Sequence, residues 1–235
     1  MQVTMYSELA AALGATVLML RLVDHRPWRD LGLAKSSATT RAWITGLGIG
    51  GAANLFVCSA VFVAGVARFE AAPAETSWVG AAFRVTIVLL PAALAEEVIC
   101  RGYLFTVIRD SIGAKGAVVV TSVMFGLLHL ANPGADAQSV FIVILAGVWL
   151  ATVRIALDSL YAAWMAHLAW NVVMAVPFHA AVSAQRFEAP GYRAVMLEPA
   201  WLSGGSWGPE GGMFAALGLA GALGYFYARR RREES

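Results

Sequence analysis

Seven apolar runs, each close to the length of helix that crosses a bilayer, take up most of this sequence: approximately residues 5–23, 42–67, 79–108, 115–132, 138–154, 160–178 and 212–228. A helix rises 1.5 Å per residue, so a hydrocarbon core about 30 Å thick needs roughly 17–25 apolar residues. A water-soluble domain has no use for so many. Composition agrees, since 59% of the 235 residues are hydrophobic and 14% charged. The expected fold is all-α: a polytopic transmembrane helical bundle of about seven spans. No linker or repeat divides the chain, so residues 1–235 read as a single membrane domain. The fourth and fifth runs are short enough to tilt or to span only in part.

Charge placement orients the bundle. The connection His25 to Arg41 carries Arg26, Arg29, Lys35 and Arg41 against Asp30, and positive loops stay on the cytoplasmic side. Arg68 to Ser77, with Glu70 and Glu75, suits the outside. Arg109 and Lys115 then fall inside, Asp136 outside, and Arg154 and the run Arg229 to Arg232 inside. Seven spans with the N-terminus outside and the C-terminus cytoplasmic satisfy all of these. The first run has no basic residue before Arg21 and no small-residue cleavage signal after it, so it is expected to stay as a helix.

Tryptophans 43, 78, 149, 164, 170, 201 and 207 mostly fall near expected helix ends, which suits headgroup anchors. Cys58 and Cys100 lie in apolar runs without metal-type spacing and read as buried thiols. The segment 179–211 is long for a connection and rich in Gly, Pro and aromatics, as an outer cap or re-entrant element would be.

The third run is interrupted by charge, in Leu94-Ala-Glu96-Glu97-Val-Ile-Cys100-Arg101. Each charge at mid-helix costs roughly 2.5–3.5 kcal/mol, so a use is expected for the group. Glu97 and Arg101 are i,i+4 neighbours with the acid first, the favourable order, while Glu96 lies about 100° around the helix. One carboxylate can therefore pair with the arginine while the other faces a cavity. Two further apolar runs carry isolated polarity: His129 after Phe125-Gly-Leu-Leu, and His167 with Asn171 one turn later on the same face. Taken singly, such residues serve as glue between membrane helices as readily as catalysts. Their convergence in three runs with little other buried polarity favours chemistry.

Glu96-Glu97-x-x-x-Arg101-Gly102, Phe125-x-x-x-His129 and His167-x-x-x-Asn171, in this order, resemble the three motifs of the CAAX protease and bacteriocin-processing (CPBP, Abi-type) family of glutamic intramembrane proteases. The resemblance covers roughly residues 80–178, with a catalytic core expected at about 79–178. Cys100 departs from it, since family members often have an aromatic there. The resemblance implies that Glu96 is the base activating a water that His129 also holds. It implies that Glu97 and Arg101 support the site, and that His167 and Asn171 stabilise the oxyanion. No cofactor and no metal would be required. The partners would be the bilayer and a peptide with a membrane-associated segment, not nucleic acid. The setting would be a bacterial inner membrane and the substrate a leader, a C-terminal sorting segment or a CAAX-like tail.

Other chemistries remain open on the residues alone. Glu96, His129 and His167 form a possible two-histidine, one-carboxylate zinc set, although no His-Glu-x-x-His occurs. A transporter or proton relay could use the same buried groups, without evident inverted repeats. A non-catalytic scaffold would not need the intact polar set. Gly-x-Ser-x-Gly is absent, and Asp110, Asp136 and Asp158 fall in expected connections, against nucleophile or aspartyl mechanisms. Straight helices would leave Glu96 and His129 on the order of 10 Å apart in depth. Gly113, Gly116 and Pro133 are where the fourth helix could shift.

Overall fold

The computed structural model describes residues 2–233. The side chains of Arg229 and Arg230, two of the C-terminal arginines expected in the cytoplasm, lie outside the described ones, as does Ser235. Long helices coincide with the apolar runs: α1 (Gln2–Leu18), α2 (Thr40–Val63), α3 (Trp78–Glu97), α4 (Tyr103–Leu128), α5 (Ala137–Ala156) and α6 (Leu160–Ala175). After a short α7 (Ala200–Ser203) comes α8 (Met213–Glu233). Four starts are written in the sequence as side-chain caps. Thr39, Ser77 and Ser159 accept the backbone N–H groups of Ala42, Gly80 and Ala162. Asp136 and Ser139 form a reciprocal box on α5. The backbone and hydroxyl of Ser139 hold the Asp136 carboxyl below its usual range.

Four helical stretches are long and apolar enough to cross a membrane: Tyr6–Val23, Thr40–Val63, Trp78–Ala131 and Ala137–Ala156. Outward-facing Ile44, Phe56, Val63, Phe83, Leu128 and Phe141 are exposed, as suits a lipid-facing surface. The protein is an integral membrane helical bundle. The all-α expectation needs a correction, however, because β1 (Ala67–Ala74) pairs antiparallel with β2 (Pro190–Met196). The connection after α2 and the segment before α8 thus satisfy each other's backbone groups, a long-range pairing that leaves no periodic signal in either stretch alone.

The third and fourth runs are one helical path broken in three places. Pro91 inside α3 has no N–H for the Ile87 carbonyl, and the Tyr6 hydroxyl donates to that carbonyl instead at 3.3 Å. A π-helical turn, Val98–Gly102, joins α3 to α4 and re-aims Arg101. At Gly113 the backbone leaves helical geometry (φ 82°, ψ 167°), which divides α4 in two. From Trp78 to Gly113 the path stays helical for about 50 Å, more than a bilayer core. Asp110 lies on this helix and pairs with Arg26, not in the expected connection.

At the centre, α2 packs along α6 at close range. A Cβ on Gly50 would lie 2.0 Å from the Ala166 carbonyl oxygen, and one on Gly46 2.4 Å from that of Ala162. Small residues let membrane helices approach in this way. Gly50→Ala should therefore destabilise by about 1–3 kcal/mol through overpacking, read as a lower melting temperature in detergent. Gly48→Ala, which meets open space, is the control.

The tryptophan expectation also changes. Trp149, Trp170 and Trp207 are buried, while Trp43 and Trp164 form an aromatic cluster with Tyr161. Trp78 and Trp201 are exposed, as anchors would be. Cys58 and Cys100 are free buried thiols, and Cys58 donates to Asn54 Oδ1.

Candidate active site

The end of α3, the end of α4, α5 and the middle of α6 converge on one cavity of about 390 Å³. Glu96, Phe125, His129, His167 and Asn171 all line it. Glu97 and Arg101 lie behind the wall, fully buried. The expected depth mismatch is gone, because the breaks in the α3–α4 path bring Glu96 Oε2 to 4.0 Å from His129 Nε2. The same oxygen is 3.8 Å from His167 Nε2. It is buried and has no hydrogen-bond partner among the described residues, although the Glu96 side chain as a whole is 39% exposed. This oxygen thus lies between two imidazoles while the rest of the side chain is partly exposed.

The supporting geometry orients both rings. Glu97 Oε1 accepts from Arg101 Nη1 at 3.1 Å and from His167 Nδ1 at 2.9 Å. Arg101 Nη2 donates to the Gly147 carbonyl at 3.1 Å, which ties α5 to the same group. His129 Nδ1 lies 2.8 Å from the Phe125 carbonyl, which can only accept, so this nitrogen carries a proton. A carboxylate likewise takes the Nδ1–H of His167. Both Nε2 atoms are left facing the cavity. Phe125 binds the group together from its ring: it meets His129 and His167 edge-on at 4.7 and 5.9 Å, and the Arg101 guanidinium lies 4.3 Å from its centroid.

Residues 78–173 match the family model described as type II CAAX prenyl endopeptidase Rce1-like. This segment is similar to the CAAX protease family. It covers less than half of the chain and runs from the start of α3 to just past Asn171, so all six candidate residues lie in the Rce1-like segment. The family is one of peptidases. The chain has no significant match among curated proteins or solved structures.

Several cavity residues lie outside the motifs. Asn132, just beyond α4, donates to the Ser183 carbonyl at 3.4 Å, joining the Rce1-like segment to the segment that follows α6. That later segment closes the cavity with Val182, Ser183, Gln185, Phe187 and Glu210. The sequence marked 179–211 as a cap by its composition, but nothing in it singled out Glu210. The one available signal was an acid between Pro209 and Gly211 in a stretch otherwise rich in aromatics and glycine. No cluster of three or more His, Cys, Asp or Glu side chains suited to a metal ion occurs among the described residues.

Proposed function

We propose that this protein is an intramembrane endopeptidase of the glutamic type, with Glu96 as general base and the Rce1-like segment as catalytic core. The observation that carries this reading is the buried, unpartnered Glu96 Oε2 at 3.8 and 4.0 Å from two imidazole Nε2 atoms. Those separations are too long for direct hydrogen bonds and suit a water bridging at about 2.8 Å to each. Glu96 removes a proton from that water, whose oxygen attacks the peptide carbonyl carbon. His129 Nε2, a lone-pair acceptor when Nδ1 holds the proton, keeps the water in line. The carbonyl oxygen becomes an oxyanion, facing Asn171 and His167. His167 donates from Nε2 in its doubly protonated form, with Glu97 on its other N–H. When the C–N bond breaks, the Glu96 proton passes to the leaving amine.

The substrate is a peptide with a membrane-associated segment: a bacterial leader, a sorting segment or a CAAX-like tail. All seven long helices cross a bacterial inner membrane in this reading, N-terminus outside, and the cap lies on the outer side. Comparison of protein termini in cells with and without this chain tests the reading. New termini that depend on the chain support it, and identical terminomes would remove it.

Asn171 gives a sharper test. Its side chain is 8% exposed, lines the cavity and makes no hydrogen bond among the described residues, so it is poised for something that arrives. Asn171→Ala should cost about 2–4 kcal/mol of transition-state stabilisation, lowering kcat and kcat/KM by similar factors. Measured beside the melting temperature, an unchanged kcat per folded molecule would take Asn171 out of the catalytic set.

A further inference from the structure

The cavity has a second wall, contributed by the cap, whose chemistry is separate from catalysis. Glu210 is buried there, 8% exposed. Its Oε1 accepts from the Ser183 backbone N–H at 2.6 Å and from the Ser183 hydroxyl at 2.7 Å, and its Oε2 accepts from Trp170 Nε1 at 3.0 Å. Three neutral donors orient the carboxylate without cancelling its charge, and no cation pairs with it among the described residues. Oε2 keeps a free lone pair, because a carboxylate oxygen can take two donors. Glu8 of α1 lines the same space. Among the described residues no lysine or arginine does, so every formally charged residue of the described lining is acidic, with the two histidines as the remaining titratable groups. The ion pair that joins α3 to the cap, Arg84 with Glu188 at 2.6 Å, is not part of the lining. Asn171, buried and without a hydrogen bond among the described residues, lines the same cavity, so the Glu210 wall faces the space in which the proposed reaction occurs.

We infer that Glu210 forms a specificity subsite for a lysine or arginine side chain of the substrate, an inference that rests on the peptidase reading. The cavity offers both kinds of wall that such a side chain needs. Leu89, Val143, Leu150 and Phe187 supply apolar wall for the methylene stem, and the carboxylate receives the charged tip. A buried carboxylate with no counter-ion is costly in a water-poor site, and a cationic partner relieves that cost. Glu210 also lies beyond the end of the Rce1-like segment at residue 173. The selectivity is therefore contributed by the cap and not by the catalytic motifs. The Trp170 bond fixes the subsite to α6, one residue before Asn171, so the charged side chain would be gripped close to the reacting carbonyl.

The test uses full-length protein carrying Glu96→Gln in lipid nanodiscs, so that binding is read without cleavage. The probes are fluorescein-labelled octapeptides in matched pairs, with lysine or its neutral analogue norleucine at each position in turn. At one position lysine should tighten Kd by roughly 10–100-fold, the range of one charge-assisted hydrogen bond. Adding Glu210→Gln should bring that ratio close to one, and Glu210→Asp should keep part of it. A purely structural Glu210 would weaken both members of a pair alike and leave the ratio intact, which overturns the inference. Equal binding of lysine and norleucine at every position in the Glu96→Gln protein also overturns it, whether or not the double variant folds. The two readings fail differently with Glu96 intact. Hydrolysis without lysine preference removes the subsite and leaves the peptidase. A Glu210-dependent lysine preference without any hydrolysis supports the subsite and removes the peptidase.

Discussion

Glu96→Gln should lower turnover by about 10²–10⁴-fold, the usual contribution of a positioned general base. Glutamine keeps the size of the side chain and much of its hydrogen bonding but cannot take the proton of water. Oε2 makes no hydrogen bond among the described residues, and both nearby imidazole nitrogens are beyond bonding distance. Little structure depends on it, so the variant should insert and melt like the wild type. That separation of activity from stability is the signature of a reacting group. Activity that survives in Glu96→Gln would sink the assignment. So would wild-type activity lost to a chelator and restored by zinc, which would turn the same two imidazoles and carboxylate into a ligand set.

The opposite signature is expected one residue later. Glu97 and Arg101 are completely buried, 3.1 Å apart, and joined to His167 and to the Gly147 carbonyl. Breaking a buried pair by removing one partner costs about 3–5 kcal/mol, because the other charge stays in an apolar interior. Arg101→Met should therefore cause a large fall in melting temperature in detergent. Phe125 would also lose the cation at its ring face. Glu97→Gln should be milder, since an amide oxygen can still accept from Arg101 or from His167. The double variant should lose less than the sum of the two, since one unpaired charge is worse than none. Strict additivity would show that the pair does not act as a unit.

Adjacent glutamates with opposite expected behaviour follow from helix geometry that can be read directly from the letters. The i,i+4 spacing of Glu97 and Arg101 and the 100° offset of Glu96 are local, as are the serine, threonine and aspartate caps and the apolar run lengths. Each depends on residues within a turn or two of one another. The Rce1-like motifs were legible for the same reason, being short and in order.

What the letters did not carry depends on contacts between distant segments. The β1–β2 pair joins residues more than a hundred positions apart, and its strands have no alternation strong enough to announce them. Trp149 and Trp207 looked like interfacial anchors because, like Trp78, they fall near expected helix ends, yet packing buried them. Phe125 read as a motif residue, and only in three dimensions does it touch Arg101, His129 and His167 together.

Membership of the membrane class, the helical character of each run and the pairing of Glu97 with Arg101 were determined by sequence alone, since hydropathy and helical phase act within a single segment. The joining of Glu96 to His129 and His167 was decided only in the tertiary structure. Straight helices would have held these groups apart. The freed carbonyl at Pro91, the π-helical turn and the break at Gly113 each change the direction or phase of a helix, and how far they do so is set by the neighbours that satisfy the released backbone groups. Glu210 reached the same cavity by a route no local rule describes. A loop acid becomes part of the cavity wall because Trp170 and Ser183, on α6 and in the cap, offer it hydrogen bonds.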